Sequence, residues 1–228
     1  LSSCYVERRG KLGEGGALAT AGKRAAFALF YAPVHFFIVR DIVRALPVPT
    51  DALREIHDLG CGTGSAGAAW ALERSGASVF GTDRHPWAVA EANWTYRQLG
   101  VPGRAVQKDV QRVRVAPSRS TAILAAYTVN ELTVAARDAL LTHLLDARTK
   151  GASVLIVEPI ARRLTPWWRT WEAAFQEHGG RADEWRFAST LPPRQRALAK
   201  AAGLNPRELT ARTLFVASGY AAEKDANP

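Results

Sequence analysis

Between His57 and Gly67 the chain reads His-Asp-Leu-Gly-Cys-Gly-Thr-Gly-Ser-Ala-Gly, which places one acid, Asp58, and four glycines in a single strand-to-helix turn. A turn of this composition can hold a cofactor. Gly60, Gly62 and Gly64 let the backbone bend sharply and approach a ligand with no Cβ in the way. Two ligands compete for it. Gly62-x-Gly64-x-x-Gly67 fits a dinucleotide fingerprint, with Asp83 near the roughly 20-residue offset of a ribose-binding carboxylate. S-adenosylmethionine, with an ammonium and a sulfonium but no phosphate at this point, fits the same turn. Asp58 lies two residues before the first glycine, where its carboxylate is expected to face the ligand across the loop. Like charges in a half-buried site repel, so the acid favours the second ligand over a pyrophosphate.

The elements that must position these residues follow from the local pattern. Glu55 to Leu59 ends a buried strand, and Ala66 to Leu72 begins a helix rich in small residues. Ser78 to Asp83 is a short apolar strand ending in an acid, followed by the helix start Arg84-His85-Pro86-Trp87. Arg104 to Asp109 is a third strand, again ending in an acid. Three acids at the carboxyl ends of three successive strands are more specific than the glycines alone, because ligands of open α/β sheets sit at that edge. As loop acids or helix caps they would need no ligand.

Asp58-Leu59-Gly60-Cys61-Gly62-Thr63-Gly64 resembles the first motif of the class I S-adenosylmethionine-dependent methyltransferases, and the next two strands agree with it. The resemblance implies an α/β fold: a Rossmann-like, seven-stranded, mostly parallel sheet with helices on both faces and an antiparallel C-terminal hairpin strand. Extra N-terminal helices precede it here. It also implies the cofactor S-adenosylmethionine, held by Asp58, Gly60, Cys61, Gly62, Thr63, Gly64, Asp83, Arg84, Trp87, Asp109 and Val110. Asp83 would take both ribose hydroxyls, Asp109 would face the adenine amino group, and Trp87 would pack on the adenine. The expected organisation is a leader and helical extension over 1–50, serving as packing or as a lid, a cofactor-binding domain over 51–220, and a tail over 221–228.

Composition bounds the alternatives. The 228 residues suit one domain, and 47% hydrophobic with 22% charged residues suits an ordinary globular protein. Cys4 and Cys61 are too few for a disulfide framework or a zinc cluster, and the five histidines show no metal-ligand spacing, so no metal site is expected and a reducing cytoplasm is. A formal net charge of +9 should attract polyanions. Its clusters, at Arg8-Arg9-Lys11, Lys23-Arg24, Arg112-x-Arg114, Arg162-Arg163 and Arg194-x-Arg196, read singly as solvated faces.

Residues 25 to 39 form the most apolar run. It is shorter than the roughly 20 residues of a spanning helix, and Pro33 and His35 interrupt it. Two helices are expected there, broken near Pro33 and ending before Pro47. An interfacial membrane helix is the lesser alternative, and no transmembrane segment is expected. Further on, strands are expected over 120–127, 152–157, 185–188 and 212–217, and helices over 134–145 and 193–202. Thr165 and Pro166 should cap and open a helix to about His178. Within it Trp168, Trp171 and Phe175 share a core stripe, while Trp167 falls off it and could line an acceptor pocket.

The segment Ala126-Tyr127-Thr128-Val129-Asn130-Glu131-Leu132 ends the fourth strand, where acceptor-facing groups stand in similar enzymes. Tyr127, Asn130 and Glu131 are the candidate catalytic residues: Asn130 and Glu131 would orient or deprotonate a nucleophile, or else Asn130 or Thr133 caps the next helix with Glu131 in its first turns. The Asn- or Asp-Pro-Pro-aromatic motif of enzymes that methylate exocyclic base amines is absent, which disfavours that chemistry. Tyr-Thr-Val-Asn-Glu-Leu weakly resembles methyltransferase-like proteins associated with the small ribosomal subunit. The expected activity is methyl transfer with RNA, including ribosomal RNA, as the acceptor. The alternatives are a small-molecule methyltransferase with a lidded pocket and a non-catalytic assembly protein that keeps the cofactor fold.

Overall fold

The computed structural model describes residues 18–47, 53–74, 76–161, 165–189, 191–201, 203 and 207–217. The basic clusters at Arg8 to Lys11 and Arg162-Arg163, the expected break at Gly203 to Pro206 apart from Gly203, and the tail lie outside them.

Seven strands form one sheet in the order β3-β2-β1-β4-β5-β7-β6. They are β1 (Glu55–Leu59), β2 (Ser78–Asp83), β3 (Gly103–Gln107), β4 (Thr121–Ala126), β5 (Ser153–Glu158), β6 (Arg181–Ala188) and β7 (Glu208–Val216). The first five pair in parallel, whereas β7 runs antiparallel to both β5 and β6. This is the expected Rossmann-like sheet. The sequence Ser-Val-Leu-Ile-Val-Glu of β5 is buried at every position, and the continuous apolar run reflects a strand covered on both faces. By contrast β6 is a polar edge strand whose burial alternates, and it starts four residues before the expected Trp185. No apolar run marks Arg181 to Glu184, because an edge strand needs neither a second covered face nor a hydrophobic signal.

Helices cover both faces. The helices are α1 (Ala21–Ala26), α2 (Ala32–Ala45), α3 (Ser65–Leu72), α4 (Pro86–Gln98), α5 (Val134–Thr149), α6 (Trp168–Glu177) and α7 (Pro193–Ala201). One core joins Ile38, Ile42 and Val43 of α2 to Trp70 of α3, Tyr96 of α4 and the strand residues Ile56, Val79 and Leu124. The other joins Leu140 and Leu144 of α5 to Trp168, Trp171 and Phe175 of α6 and to Ile123, Val154 and Ile156. The expected core stripe of α6 is thus buried. Its helix starts later than Thr165 predicts: the Thr165 carbonyl accepts from Trp168 N at 3.1 Å in a preceding turn, and no side chain caps the helix.

The expected break near Pro33 takes another form. Helical structure is continuous from Ala21 to Ala45, with a wide π turn over Phe27–Tyr31 just before the proline. Pro33 has no N–H to offer the Leu29 carbonyl one turn back. Gln195 of α7 donates to that carbonyl instead, at 3.3 Å. By length and composition this 25-residue run could cross a membrane, one 18-residue window of it having a mean hydropathy of 1.5. Its second half, however, is a core element in which Val39, Ile42 and Val43 have no exposed surface.

Candidate cofactor and acceptor site

The carboxyl ends of β1 to β5 open onto one cavity of about 790 Å³, closed from the other side by Phe27, Tyr31, Val34, His35 and Ile38 of the N-terminal helical run. Volumes of roughly 300–1,000 Å³ are typical of small-molecule sites. The cavity has two ends of different construction.

At the first end the loop after β1 is held by its backbone. Gly60, Gly62 and Gly64 have φ of +70°, +52° and +76°, a region that glycine enters without steric cost. Asp83, at the end of β2, accepts from Gly62 N at 3.0 Å and from His85 N at 2.8 Å. An ionised carboxylate has about four acceptor positions, so two remain for ligand hydroxyls. Asp109 accepts from Gln111 N at 2.9 Å, capping a short 3-10 turn over Val110–Arg112, while both Asp109 and Val110 border the cavity. Gly60, Cys61, Gly62 and Arg84 border it as well.

Four of the expected cofactor residues stand elsewhere. Asp58 does not border the cavity: its carboxylate is 1% exposed and accepts from Gly67 N at 3.0 Å. The reason is local. Gly64, at the N-cap of α3, has no side chain with which to satisfy the first free N–H groups of the helix, and Asp58 reaches from β1 to do so. Burial pushes its pKa up to about 7, the Gly67 N–H opposing and the Asp83 charge adding. The expected repulsion across the loop is therefore replaced by a different obstacle to a pyrophosphate, because an internal carboxylate already takes one of the N–H groups that would bind it. Thr63 and Gly64 lie behind the loop, where a Cβ on Gly64 would come within 2.7 Å of the Tyr96 ring. Trp87 also misses the cavity. With His85 as N-cap and Pro86 in the first turn of α4, the indole sits edge-on to His85, with ring centroids 6.4 Å apart.

The second end is built from side chains on distant elements. Tyr127, Asn130 and Glu131 all border the cavity, as does Glu158 at the end of β5. Glu158, fully buried, accepts from Asn130 N at 3.2 Å and from Asn130 Nδ2. Trp167 Nε1 donates to Asn130 Oδ1 at 3.0 Å. Asn130 therefore holds Glu158 and is itself held by Trp167, which stands behind it rather than lining the cavity. Burial pushes the Glu158 carboxyl up to about 8, with the Asn130 N–H opposing and Glu131 adding. Glu131 is likewise pushed up to about 7 by desolvation, against the pull of Arg84, whose Nη2 lies 3.9 Å away. Thr133 caps α5, accepting from Ala136 N at 3.3 Å, which removes the capping role considered for Asn130.

Tyr127 has φ +58°, the one non-glycine residue with positive φ among the described residues. Such a backbone costs of order 1–3 kcal/mol and persists where the surrounding structure over-determines it. Here Tyr127 N donates to the Val157 carbonyl at 2.8 Å, and the ring stacks on His35 with centroids 3.9 Å apart and planes at 17°. Burial holds the His35 imidazole down to about 3, hence neutral, and raises the Tyr127 hydroxyl. Sequence reasoning missed Glu158 and His35 as site residues. The acid at the end of yet another buried strand was the available signal for Glu158; nothing in the spacing marked His35.

A family model described as a methyltransferase domain matches residues 56–151. The chain is also similar to the ribosomal RNA large subunit methyltransferase G of Streptomyces coelicolor, 42% identical over 66 residues. That stretch is 29% of this chain and spans only 17% of the relative's length. Among solved structures, the magnesium protoporphyrin IX methyltransferase of Synechocystis PCC 6803 with bound S-adenosylmethionine superposes with a TM-score of 0.54 at 13% identity, covering 96% of this chain and 94% of that one. The N-methyltransferase NodS of Bradyrhizobium japonicum, in complex with S-adenosylhomocysteine, gives 0.61 at 11% identity, covering 93% and 100%. Residues 56–151 thus match a methyltransferase domain, and the chain has the Rossmann-like fold of solved methyltransferases that bind S-adenosylmethionine or S-adenosylhomocysteine.

The residues present fit that cofactor. Thr82 borders the cavity with its buried hydroxyl oxygen unpartnered. Gly62 faces Phe27 so closely that an added Cβ would meet the ring at 3.2 Å, so bare backbone forms the wall there.

Proposed function

We propose that the protein transfers the methyl group of S-adenosylmethionine to a small molecule enclosed between the ends of β4 and β5 and the N-terminal helical run. The observation that carries this reading is the single cavity, in which the cofactor-type groups of β1 to β3 and the polar groups Asn130, Glu131 and Glu158 share one volume under an aromatic roof. When bound, the cofactor supplies a methyl group already activated by the sulfonium.

The chain's own work is then to bind, orient and exclude water. Gly60, Cys61, Gly62, Asp83, Asp109 and Val110 would hold the cofactor, with Asp83 taking the ribose hydroxyls. Arg84 would fix Glu131 at the junction of the two ends. Glu158, positioned by Asn130, would receive the acceptor's proton, since a group with a pKa near the working pH accepts and releases protons readily. The N-terminal run would act as a lid, keeping bulk water from the sulfonium. We place the reaction in the cytoplasm, in keeping with a chain whose one cysteine among the described residues, Cys61, is buried and free.

An RNA acceptor is the second reading, favoured by the net charge of +9 and by the partial likeness to a ribosomal RNA methyltransferase. Transfer of labelled methyl from the cofactor into fractionated cell extract separates the two. The proposal expects label in the small-molecule pool, at a rate almost independent of salt. Label confined to RNA, with activity falling steeply as salt rises, would overturn it, because phosphate contacts release counterions.

A further inference from the structure

We propose that the acceptor is an amine, bound as its ammonium between Glu131 and Glu158 and against the rings of Tyr31 and Tyr127. This rests on the reading above of one cavity shared by cofactor and acceptor.

Four observations converge on a cation. Two carboxyl side chains border the acceptor end, and Glu158 keeps acceptor capacity: Asn130 N, Asn130 Nδ2 and Val129 N occupy about three of its four positions. Tyr31 and Tyr127 border the cavity together with the aliphatic Val34, Ile38, Leu132 and Ile160, and the Tyr127 ring lies stacked on His35. Rings of this kind attract cations through their quadrupole. His35, the imidazole on the wall, is kept neutral by its burial against Tyr127, so it does not compete with a bound cation. The basic residues on the cavity wall, Arg84 and Lys108, belong to the cofactor end, and Arg84 is turned towards Glu131. Arg212 lies opposite Glu158 in the β5–β7 register, but its guanidinium is stacked on the Trp168 ring at 4.0 Å, outside the cavity wall. Arg84 partly offsets Glu131 and the Arg212 charge acts on Glu158 from behind the wall, whereas a carboxylic acid as acceptor would add a third acid beside them.

The step balances without a further reactant. The ammonium gives one proton to the Glu158 carboxylate, so an N–H bond breaks and an O–H bond forms. The freed nitrogen lone pair then forms the bond to the methyl carbon as the carbon–sulfur bond breaks, its electron pair staying on sulfur. The positive charge passes from sulfur to the methylated nitrogen, and Glu158 returns its proton to water when product leaves.

The test uses the full chain saturated with S-adenosylhomocysteine, whose own binding is measured first. Three probes of similar shape, 2-phenylethylamine, 2-phenylethanol and 3-phenylpropionate, are then titrated in a calorimeter. The amine should bind tightest, and Glu158→Gln should weaken it by roughly thirty-fold or more, as expected for loss of a buried charge partner, with the affinity for S-adenosylhomocysteine unchanged. Glu131→Gln, half-buried and safer for folding, should weaken the amine in the same direction. Equal or tighter binding of the alcohol or the acid, no binding of the amine, or equal amine affinity in both variants would overturn the proposal. Failure of S-adenosylhomocysteine itself to bind would instead overturn the functional reading on which it rests.

Discussion

The two ends of the cavity are built by different means. At the ends of β1 to β3, the contacts are made by backbone N–H groups: Asp109 accepts from Gln111 two residues on, and Asp83 accepts from His85 two residues on and from Gly62 in the glycine loop 21 residues back. At the ends of β4 and β5, the working groups are side chains joined across the chain, with Asn130 meeting Glu158 at a separation of 28 residues and Trp167 at 37. The first end fixes a ligand shape that a local motif can encode. The second end sets charge and protonation by burial, which depends on the assembled fold. Changes at the first end should therefore be read in folding and cofactor affinity, and changes at the second in turnover.

The largest effect should come from Gly60→Ala. The added Cβ would strike Thr128, whose hydroxyl is tied to the Leu59 carbonyl at 3.0 Å and cannot retreat, and the backbone is left-handed at φ +70°. Strain and overpacking together should cost roughly 3–5 kcal/mol in a denaturant titration. A small loss would mean that the loop is looser than its contacts imply.

Next in size, Asn130→Ala should lower kcat roughly a hundred-fold by releasing Glu158, with cofactor affinity intact. Loss of cofactor affinity in step with kcat would break the division between the two ends.

A smaller effect concerns pH. Asp58 is raised in the folded state to about 7, well above the roughly 3.9 of an unfolded aspartate. The folded state then binds more protons than the unfolded state between those values. The stability this group contributes is full below the unfolded pKa and is lost as pH rises through the folded one, by at most about 1.4 kcal/mol per pH unit. Asp58→Asn should flatten this decline between about pH 5 and 7 when unfolding is followed at each pH. An unchanged slope would remove Asp58 from the account. Smallest of all, Thr133→Ala should cost about 1 kcal/mol of stability through the lost α5 cap, read as a lowered Tm.

The same contrast explains what the sequence disclosed. The strands and the glycine loop were legible because periodicity and short spacing encode them, and the sheet's architecture because the first motif resembles a known family. Asp58 was found but misdirected: the strand end was visible, while the uncapped helix behind the loop was not. Trp87 was misplaced because the capping of α4 by His85 and Pro86 decides where the indole points. The π turn before Pro33 was legible only as a break, since its remedy, the Gln195 amide, lies 166 residues away. His35 and Glu158 acquire their roles from burial, and burial is a property of the fold rather than of any window of residues.

The division of the cavity requires the ends of β1 to β3, and not those of β4 and β5, to hold S-adenosylmethionine. Calorimetric titration of S-adenosylhomocysteine into the wild-type chain, Asp83→Ala and Asn130→Ala tests it most directly. One site is expected, weakened by about 2–4 kcal/mol in Asp83→Ala because two hydroxyls lose a shared charged acceptor, and unchanged in Asn130→Ala. No heat with the wild-type chain, alongside binding of a nicotinamide dinucleotide, would contradict it.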